Sequence, residues 1–304
     1  MLKNCNEHVH KFMTQLDFPG DAQETFLNAL NCISEDSAAA KQFGDILKLY
    51  TKSENCDFRR MLDEVKVIGE RLNIHEYTIS LLMYLCMAET LRKRYLERAV
   101  PESVFFNSMM DLRYKLEECR LVHGINGSFV AYWFYRFFNL TRFALGRLQF
   151  ELVETKDDYL VGGFAIPAGS KAINVHIPRT GTRLLHNDVL DAYKMAADMF
   201  AVEFGGKPIV FTCNSWLLDP WNLTVLSPES NLAAFCNDYK IVDTGHYDGY
   251  GEIWRLFDCQ YTGDPAKLPC DSSLRSAYVE RISCGEPIGW GRGLFIYQND
   301  EIIH

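Results

Sequence analysis

Hydrophobic positions recur at helical spacing through the first 125 residues and alternate through much of the remainder. Phe26, Leu27, Leu30 and Ile33 form a first stripe. Before it, Asp21-Ala22-Gln23-Glu24 fits a capping box, with Asp21 as the cap and Glu24 three residues on. Phe58, Met61, Leu62, Val65, Ile68 and Leu72 form a second stripe. Leu81, Leu82, Leu85 and Met87 line a third, longer helix running from near His75 to Arg98, with Glu89 and Lys93 at i,i+4. Pro101-Glu102 suits the first turn of a fourth, carried by Val104, Phe105, Met109, Leu112 and Leu116 and closed by Gly124. Nothing in this front part reads as catalytic. Arg92-Lys93-Arg94 and Glu117-Glu118 are solvated helix faces, and His75 and His123 sit at helix ends.

Beyond Gly124, Asn126 and Gly127 the pattern changes. The aromatic run Phe129–Phe138 predicts a buried helix, with a ligand platform as the alternative. Residues 147–153 read as a strand with Leu148, Phe150 and Leu152 on one face, and Tyr159–Ile166 as another. Ala172–Ile177 is a strand ended by Pro178. A helix follows with Val189, Leu190, Tyr193, Ala196, Ala197 and Phe200, and then a strand over Ile209–Cys213. Asn231–Phe235 and Leu274–Ile282 predict helices. Ile253–Phe257 and Leu294–Tyr297 predict strands, and Gly289-Trp290-Gly291-Arg292-Gly293 a turn. The chain is thus α+β: an all-helical domain over residues 1–125, followed over residues 126–304 by a mixed-sheet domain with helices packed on it.

Composition supports that division. Residues 1–125 hold 4 of the 20 glycines and 2 of the 10 prolines, residues that are kept out of helix interiors. Asp and Glu (40) exceed Lys and Arg (31), a net charge of −9, which argues against nucleic acid and anionic membrane surfaces as partners. The longest apolar stretch, Phe129–Leu140, is about 12 residues with Arg136 inside it, too short for a bilayer. No apolar run of signal-peptide length opens the sequence, and the ten cysteines form no CxxC pair. The expectation is a cytoplasmic protein with reduced cysteines and no metal; His8 and His10 read as a solvated pair.

One segment carries candidate chemistry. A strand, a polar loop with Gly and a helix make a phosphate-binding geometry, because the helix N-terminus offers unpaired N–H groups and a positive dipole end. Here Arg179-Thr180-Gly181-Thr182-Arg183 is that loop, and two guanidinium groups beside exposed amides suit a pyrophosphate. It matches neither GxxxxGK[ST] nor GxGxxG, and an ordinary βα loop has the same appearance.

The segments Gly146-Arg147-Leu148-Gln149-Phe150-Glu151, Asn174-Val175-His176-Ile177-Pro178 and Cys213-Asn214-Ser215-Trp216-Leu217-Leu218-Asp219-Pro220 resemble a bacterial acyltransferase family, and the resemblance covers essentially the whole chain. That family joins a helical N-terminal domain to a C-terminal domain similar to the GNAT (N-acetyltransferase) fold. The resemblance implies acetyl-CoA or another acyl-CoA as co-substrate and a small-molecule or peptide amine as acceptor. It places Val175, His176 and Ile177 against the pantetheine arm and Arg179, Thr180, Gly181, Thr182 and Arg183 at the diphosphate. The loop departs from the family's R-x-x-G-x-G/A pattern, having one glycine, placed early.

Acyl transfer from a thioester to an amine needs a base for the amine proton, donors for the oxyanion and an acid for the leaving thiolate. His176 is the first candidate base, with a structural strand histidine as the alternative. Ser215 is a candidate donor to the thiolate and Asp219 a candidate contact for the amine; both equally suit turn chemistry before Pro220. Glu151 is a second candidate base, with a salt bridge to a local Arg as the alternative, and His246 is a loop residue that could line an acceptor pocket or simply be exposed. Two other readings remain open at this level. One is a catalytically degenerate GNAT-like protein that binds a ligand or partner. The other is a Ser215/His176 hydrolase, which lacks the G-x-S-x-G elbow.

Overall fold

The computed structural model describes residues 5–304. The chain forms two compact units that divide between Phe143 and Ala144.

The first unit is helical: α1 (Cys5–Gln15), α2 (Gly20–Glu35), α3 (Ser37–Lys52), α4 (Phe58–Leu72), α5 (Glu76–Glu97), α6 (Glu102–His123) and the short α7 (Tyr135–Phe138). α4 shows why these residues fold so. Phe58, Met61, Leu62, Val65 and Ile68 are buried along one stripe, the Asp57 side chain accepts from the Arg60 N–H, and Asn73 closes the helix in the left-handed region. α5 is buried nearly all round and is the core element, with Leu81, Leu82, Met83, Tyr84 and Leu91 enclosed. His75 caps it by accepting from the Tyr77 N–H, and Gly124 closes α6 in the left-handed region.

Several expectations change. His8 and His10 are exposed, as expected of a solvated pair, but their segment is a helix, α1, whose Val9, Phe12 and Met13 are buried at helical spacing. α3, with Ala39, Phe43, Ile46 and Tyr50 buried, adds a helix between the first two stripes. Asp21 is not a cap: α2 begins at Gly20, with Pro19 at the cap position, and Asp21 in its first turn pairs with Arg120 at 2.8 Å. The aromatic run is a 3-10 turn (Ala131–Phe134) followed by α7, not one helix. Phe134 and Phe138 lie 5.2 and 4.7 Å from the Tyr84 ring, and the Tyr50 hydroxyl donates to the Phe138 carbonyl. Those contacts place the run within the helical unit, which is why the compact units divide later than residue 125.

The sheet elements are β1 (Arg142–Leu145), β2 (Leu148–Glu154), β3 (Tyr159–Val161), β4 (Phe164–Ile166), β5 (Lys171–His176), α8 (His186–Phe204), β6 (Ile209–Ser215), α9 (Asn222–Val225), α10 (Asn231–Asn237), β7 (Lys240–His246), α11 (Trp254–Phe257), α12 (Ser273–Ser283), β8 (Gly289–Gln298) and β9 (Glu301–Ile303). The order is β1-β2-β5-β6-β8-β7, with β9 on β8; β5 and β6 run parallel, β2-β5, β6-β8, β7-β8 and β8-β9 antiparallel, and β3-β4 is a separate hairpin turning at Gly162-Gly163. On one face Tyr193 of α8 packs on Phe211 and Phe295, with centroids 5.5 and 4.9 Å away. On the other, Val161 and Ile166 of the hairpin cover Ala172, Val210, Leu294 and Ile296.

Three further expectations are corrected. Ile253–Phe257 is helical at its end, because Ile253 and Phe257 lie on one face of a turn buried against Leu268, Tyr278 and Ile282. Gly289–Gly293 is not a turn but the first half of β8. A Cβ at Gly289, Gly291 or Gly293 would strike Asp219, the Leu218 carbonyl or Tyr239, so the glycines answer to close approach along one strand face. His246 ends β7, opposite Gly289, rather than lying in a loop. Among the described residues, no helix is long and apolar enough to cross a membrane, and no group of His, Cys, Asp and Glu could hold a metal ion.

Candidate active site

The site arises where a ladder stops. β5 and β6 are registered only at Ile173 with Phe211 and Asn174 with Thr212. Both strands continue beyond that point, β5 through Val175 and His176 and β6 through Cys213, Asn214 and Ser215. Each stays paired on its far side, His176 opposite Gln149 of β2 and Ser215 opposite Gly291 of β8. The facing edges between them are left open, a short stretch of backbone donors and acceptors inside an otherwise continuous sheet.

Side-chain alternation arms one face of that opening. Asn174 and His176 point the same way on β5, and Glu151 of β2 lies directly opposite Asn174. His176 Nε2 is 3.0 Å from Glu151 Oε1, and Asn174 Nδ2 is 3.1 Å from both atoms. The Glu151 side chain is 6% exposed and that of His176 is 20% exposed. The buried Glu151 oxygen accepts from the Asn174 amide, and the His176 Nε2 lies within hydrogen-bond reach of both groups. Glu151 thus meets His176 as well as Asn174.

The other expected residues are placed differently. Ser215 is extended and on the opposite strand parity, with Phe211 and Cys213; its hydroxyl accepts from the Leu217 N–H and caps the turn Trp216–Leu218. A Ser215–His176 dyad is therefore not formed. Asp219 is buried, with Oδ2 accepting from Arg281 at 2.7 Å and Oδ1 from the Trp221 N–H at 3.1 Å; Arg281 in turn stacks on Trp221. Its carboxylate is committed to holding the turn to α12 and is not offered to a ligand.

The loop after β5 keeps its expected composition and gains supports. Val175 is buried and Ile177 half-buried. Gly181 has a φ of +78°, which favours glycine. The Thr180 and Thr182 hydroxyls are 2.8 Å apart, and the Thr182 N–H donates to Thr180 Oγ1. Arg147 Nη1 donates to the Pro178 carbonyl at 3.0 Å. Arg183 is exposed. Arg179 is held by Asp258, far along the chain, at 2.8 Å. α8 then starts at His186 with no side-chain cap from Leu185. His186 Nε2 contacts Asp238 Oδ1 at 2.9 Å, and burial holds the Asp238 carboxyl above its ordinary range while His186 pulls it down. Of these supports, Asn174 was legible as the residue two before His176 on the same strand face; Asp258 and Arg147 have no sequence signal tying them to the loop.

A helical unit followed by a mixed sheet whose parallel pair opens beside a strand–loop–helix is the architecture of GNAT-type acyltransferases. The family models agree. An N-acyltransferase N-terminal domain matches residues 7–140 and a GNAT-like C-terminal domain matches residues 142–295. The chain belongs to this acyltransferase family. No curated protein matches the sequence. Among solved structures, an acyltransferase in complex with decanoyl-CoA superposes with a TM-score of 0.75 at 21% identity, covering 94% of this chain and 86% of that one. An acyltransferase with decanoyl-CoA and teicoplanin gives 0.74 at 20%, covering 95% and 88%. A mutant acyltransferase in complex with octanoyl-CoA gives 0.74 at 20%, covering 95% and 87%. At these identities the likeness establishes the fold.

Proposed function

We propose that the protein is an acyl-CoA-dependent N-acyltransferase that moves an acyl group from the CoA thioester to an amine of a small molecule. The observation that carries this reading is the opening between β5 and β6 with His176 at its edge against buried Glu151. Family membership and neighbours solved with acyl-CoA support it. A pantetheine arm carries two amides, and it would add to the open edge of β5 at Val175, His176 and Ile177 as a strand adds to a sheet. Thr180, Gly181, Thr182, Arg183 and the first turn of α8 would receive the diphosphate, with Arg179 beside them. In the reaction, the amine nitrogen attacks the thioester carbonyl. The His176 imidazole takes the ammonium proton, and the Glu151 carboxylate beside it stabilises the imidazolium. Collapse of the tetrahedral intermediate breaks the C–S bond and releases the CoA thiolate, to which the proton passes.

Neighbours solved with teicoplanin or its 10C derivative favour a small molecule over a peptide as the acceptor. Their decanoyl and octanoyl donors make medium-chain acyl-CoA the first donor to try, ahead of acetyl-CoA. The test is thiol release from octanoyl-CoA against a panel of primary amines, wild type beside His176→Ala. Amine-dependent release by the wild type and its loss in the variant are expected. Full release by His176→Ala would remove it as base, and an absence of release with every amine would favour a binding protein without chemistry.

A further inference from the structure

Arg179 is the loop cation nearest the end of β5, yet its orientation is set by a residue from α11's end. Asp258 takes it in a two-pronged pair, Oδ1 to Nε and Oδ2 to Nη2, both at 2.8 Å. The same carboxylate is held from behind by Arg275 of α12, whose Nη2 lies 2.7 Å from Oδ2. Arg275 is itself pinned by Asp271 at 3.0 Å and by the Leu256 carbonyl at 2.8 Å. Asp258 closes α11 with a φ of +58°, a backbone conformation that side-chain-bearing residues seldom adopt. The three side chains grade outward: Arg275 is 18% exposed, Asp258 21% and Arg179 36%.

We infer that Asp258 is a positioning residue that presents the free edge of the Arg179 guanidinium to the diphosphate of the acyl donor. This rests on the proposed acyl-CoA reading. A guanidinium has five N–H groups in a rigid fork, and the pair with Asp258 uses two of them, on one edge. The remaining three point away from the carboxylate. A long side chain in an exposed loop otherwise loses its rotamer freedom on binding; here it is already ordered in the free protein. Two arginines and two aspartates cancel in charge, so the anion is received by directed hydrogen bonds rather than by an excess of positive charge. That suits a chain with a net charge of −9.

The test is calorimetric binding of two donors, octanoyl-CoA and S-octanoyl-pantetheine, which lacks the diphosphate. Asp258→Asn is expected to weaken octanoyl-CoA about tenfold and leave octanoyl-pantetheine within about twofold. In an Arg179→Ala background the same change should have almost no further effect. Equal weakening of both donors would mean that Asp258 merely supports the fold, and tighter octanoyl-CoA binding would mean that it sequesters Arg179; either overturns the inference. Unchanged binding of both donors overturns it while leaving the donor reading intact. A wild type that binds neither donor takes down the donor reading and this inference together.

Discussion

Side chains cap helices in both units, Ser230 and Ser272 among them in the sheet unit, but the sheet unit adds a polar cluster beside a gap in strand pairing. In the helical unit, side chains close the ends of their own helices, as Asp36 does by accepting from the Ala38 and Ala39 N–H groups and His75 from that of Tyr77. In the sheet unit, polar side chains also gather on one face where the β5–β6 pairing stops, as Glu151, Asn174 and His176 do. A saturated backbone leaves side chains to secure the fold, whereas an interrupted ladder leaves both backbone and side chains free to meet a ligand.

The largest expected effect tests the chemistry of the second unit. His176→Ala should lower turnover by about a hundredfold to ten-thousandfold while leaving octanoyl-CoA affinity and melting temperature unchanged, read by kinetics and calorimetry. A parallel fall in melting temperature would make His176 structural, like the polar residues of the helical unit. Next come two substitutions that should damage folding instead. Tyr84→Ala removes a buried ring from among Phe58, Phe134 and Phe138 and should cost about 3–5 kcal/mol in denaturant unfolding. Asp219→Ala strands the Arg281 guanidinium and should also cost about 3–5 kcal/mol, which would mark Asp219 as structural even within the sheet unit.

A smaller effect runs the other way. The Tyr84 hydroxyl is buried without a hydrogen-bond partner, so Tyr84→Phe should stabilise the protein by about 1 kcal/mol. Destabilisation would show that the hydroxyl does more than the packing accounts for. The smallest concerns pH. Burial pushes the Cys119 thiol up to about 11 and the Cys236 thiol up to about 12. In the unfolded chain both ionise near the ordinary thiol value of about 8.5, so their contribution to stability is present below that pH and declines as pH rises toward the folded values. Urea unfolding midpoints should therefore be level from pH 6 to 8 and fall through pH 9 and 10; a rise over that range would contradict the burial of these thiols.

Much of this was legible in the sequence where one periodicity ran unbroken. The stripe from Phe58 to Leu72 and the alternation through Leu148, Phe150 and Leu152 each specify an element without help from elsewhere. β7 was not legible, since Lys240–His246 is half exposed and finds its place only through pairing with β8. The glycines of β8 look like a turn until Asp219, Leu218 and Tyr239 are seen to crowd them. The site divides in the same way. His176 and the loop from Arg179 to Arg183 follow from a strand and its exit, and Glu151 and Asn174 from the pleat. Asp258 meets Arg179 only because α11 folds back, which no spacing announces. Asp219 has the composition of a ligand contact, and only its bond to Arg281 reveals its work.

The central claim, that the open edge of β5 and the loop after it receive the acyl donor, is tested most directly by backbone hydrogen exchange with and without octanoyl-CoA. The amides of Val175, His176 and Ile177 and of the segment from Thr180 through the first turn of α8 should exchange more slowly when the donor is bound, while those of α1 to α4 are unchanged. Donor binding with no added protection in β5 and its loop, or with protection confined to another segment, would contradict the account.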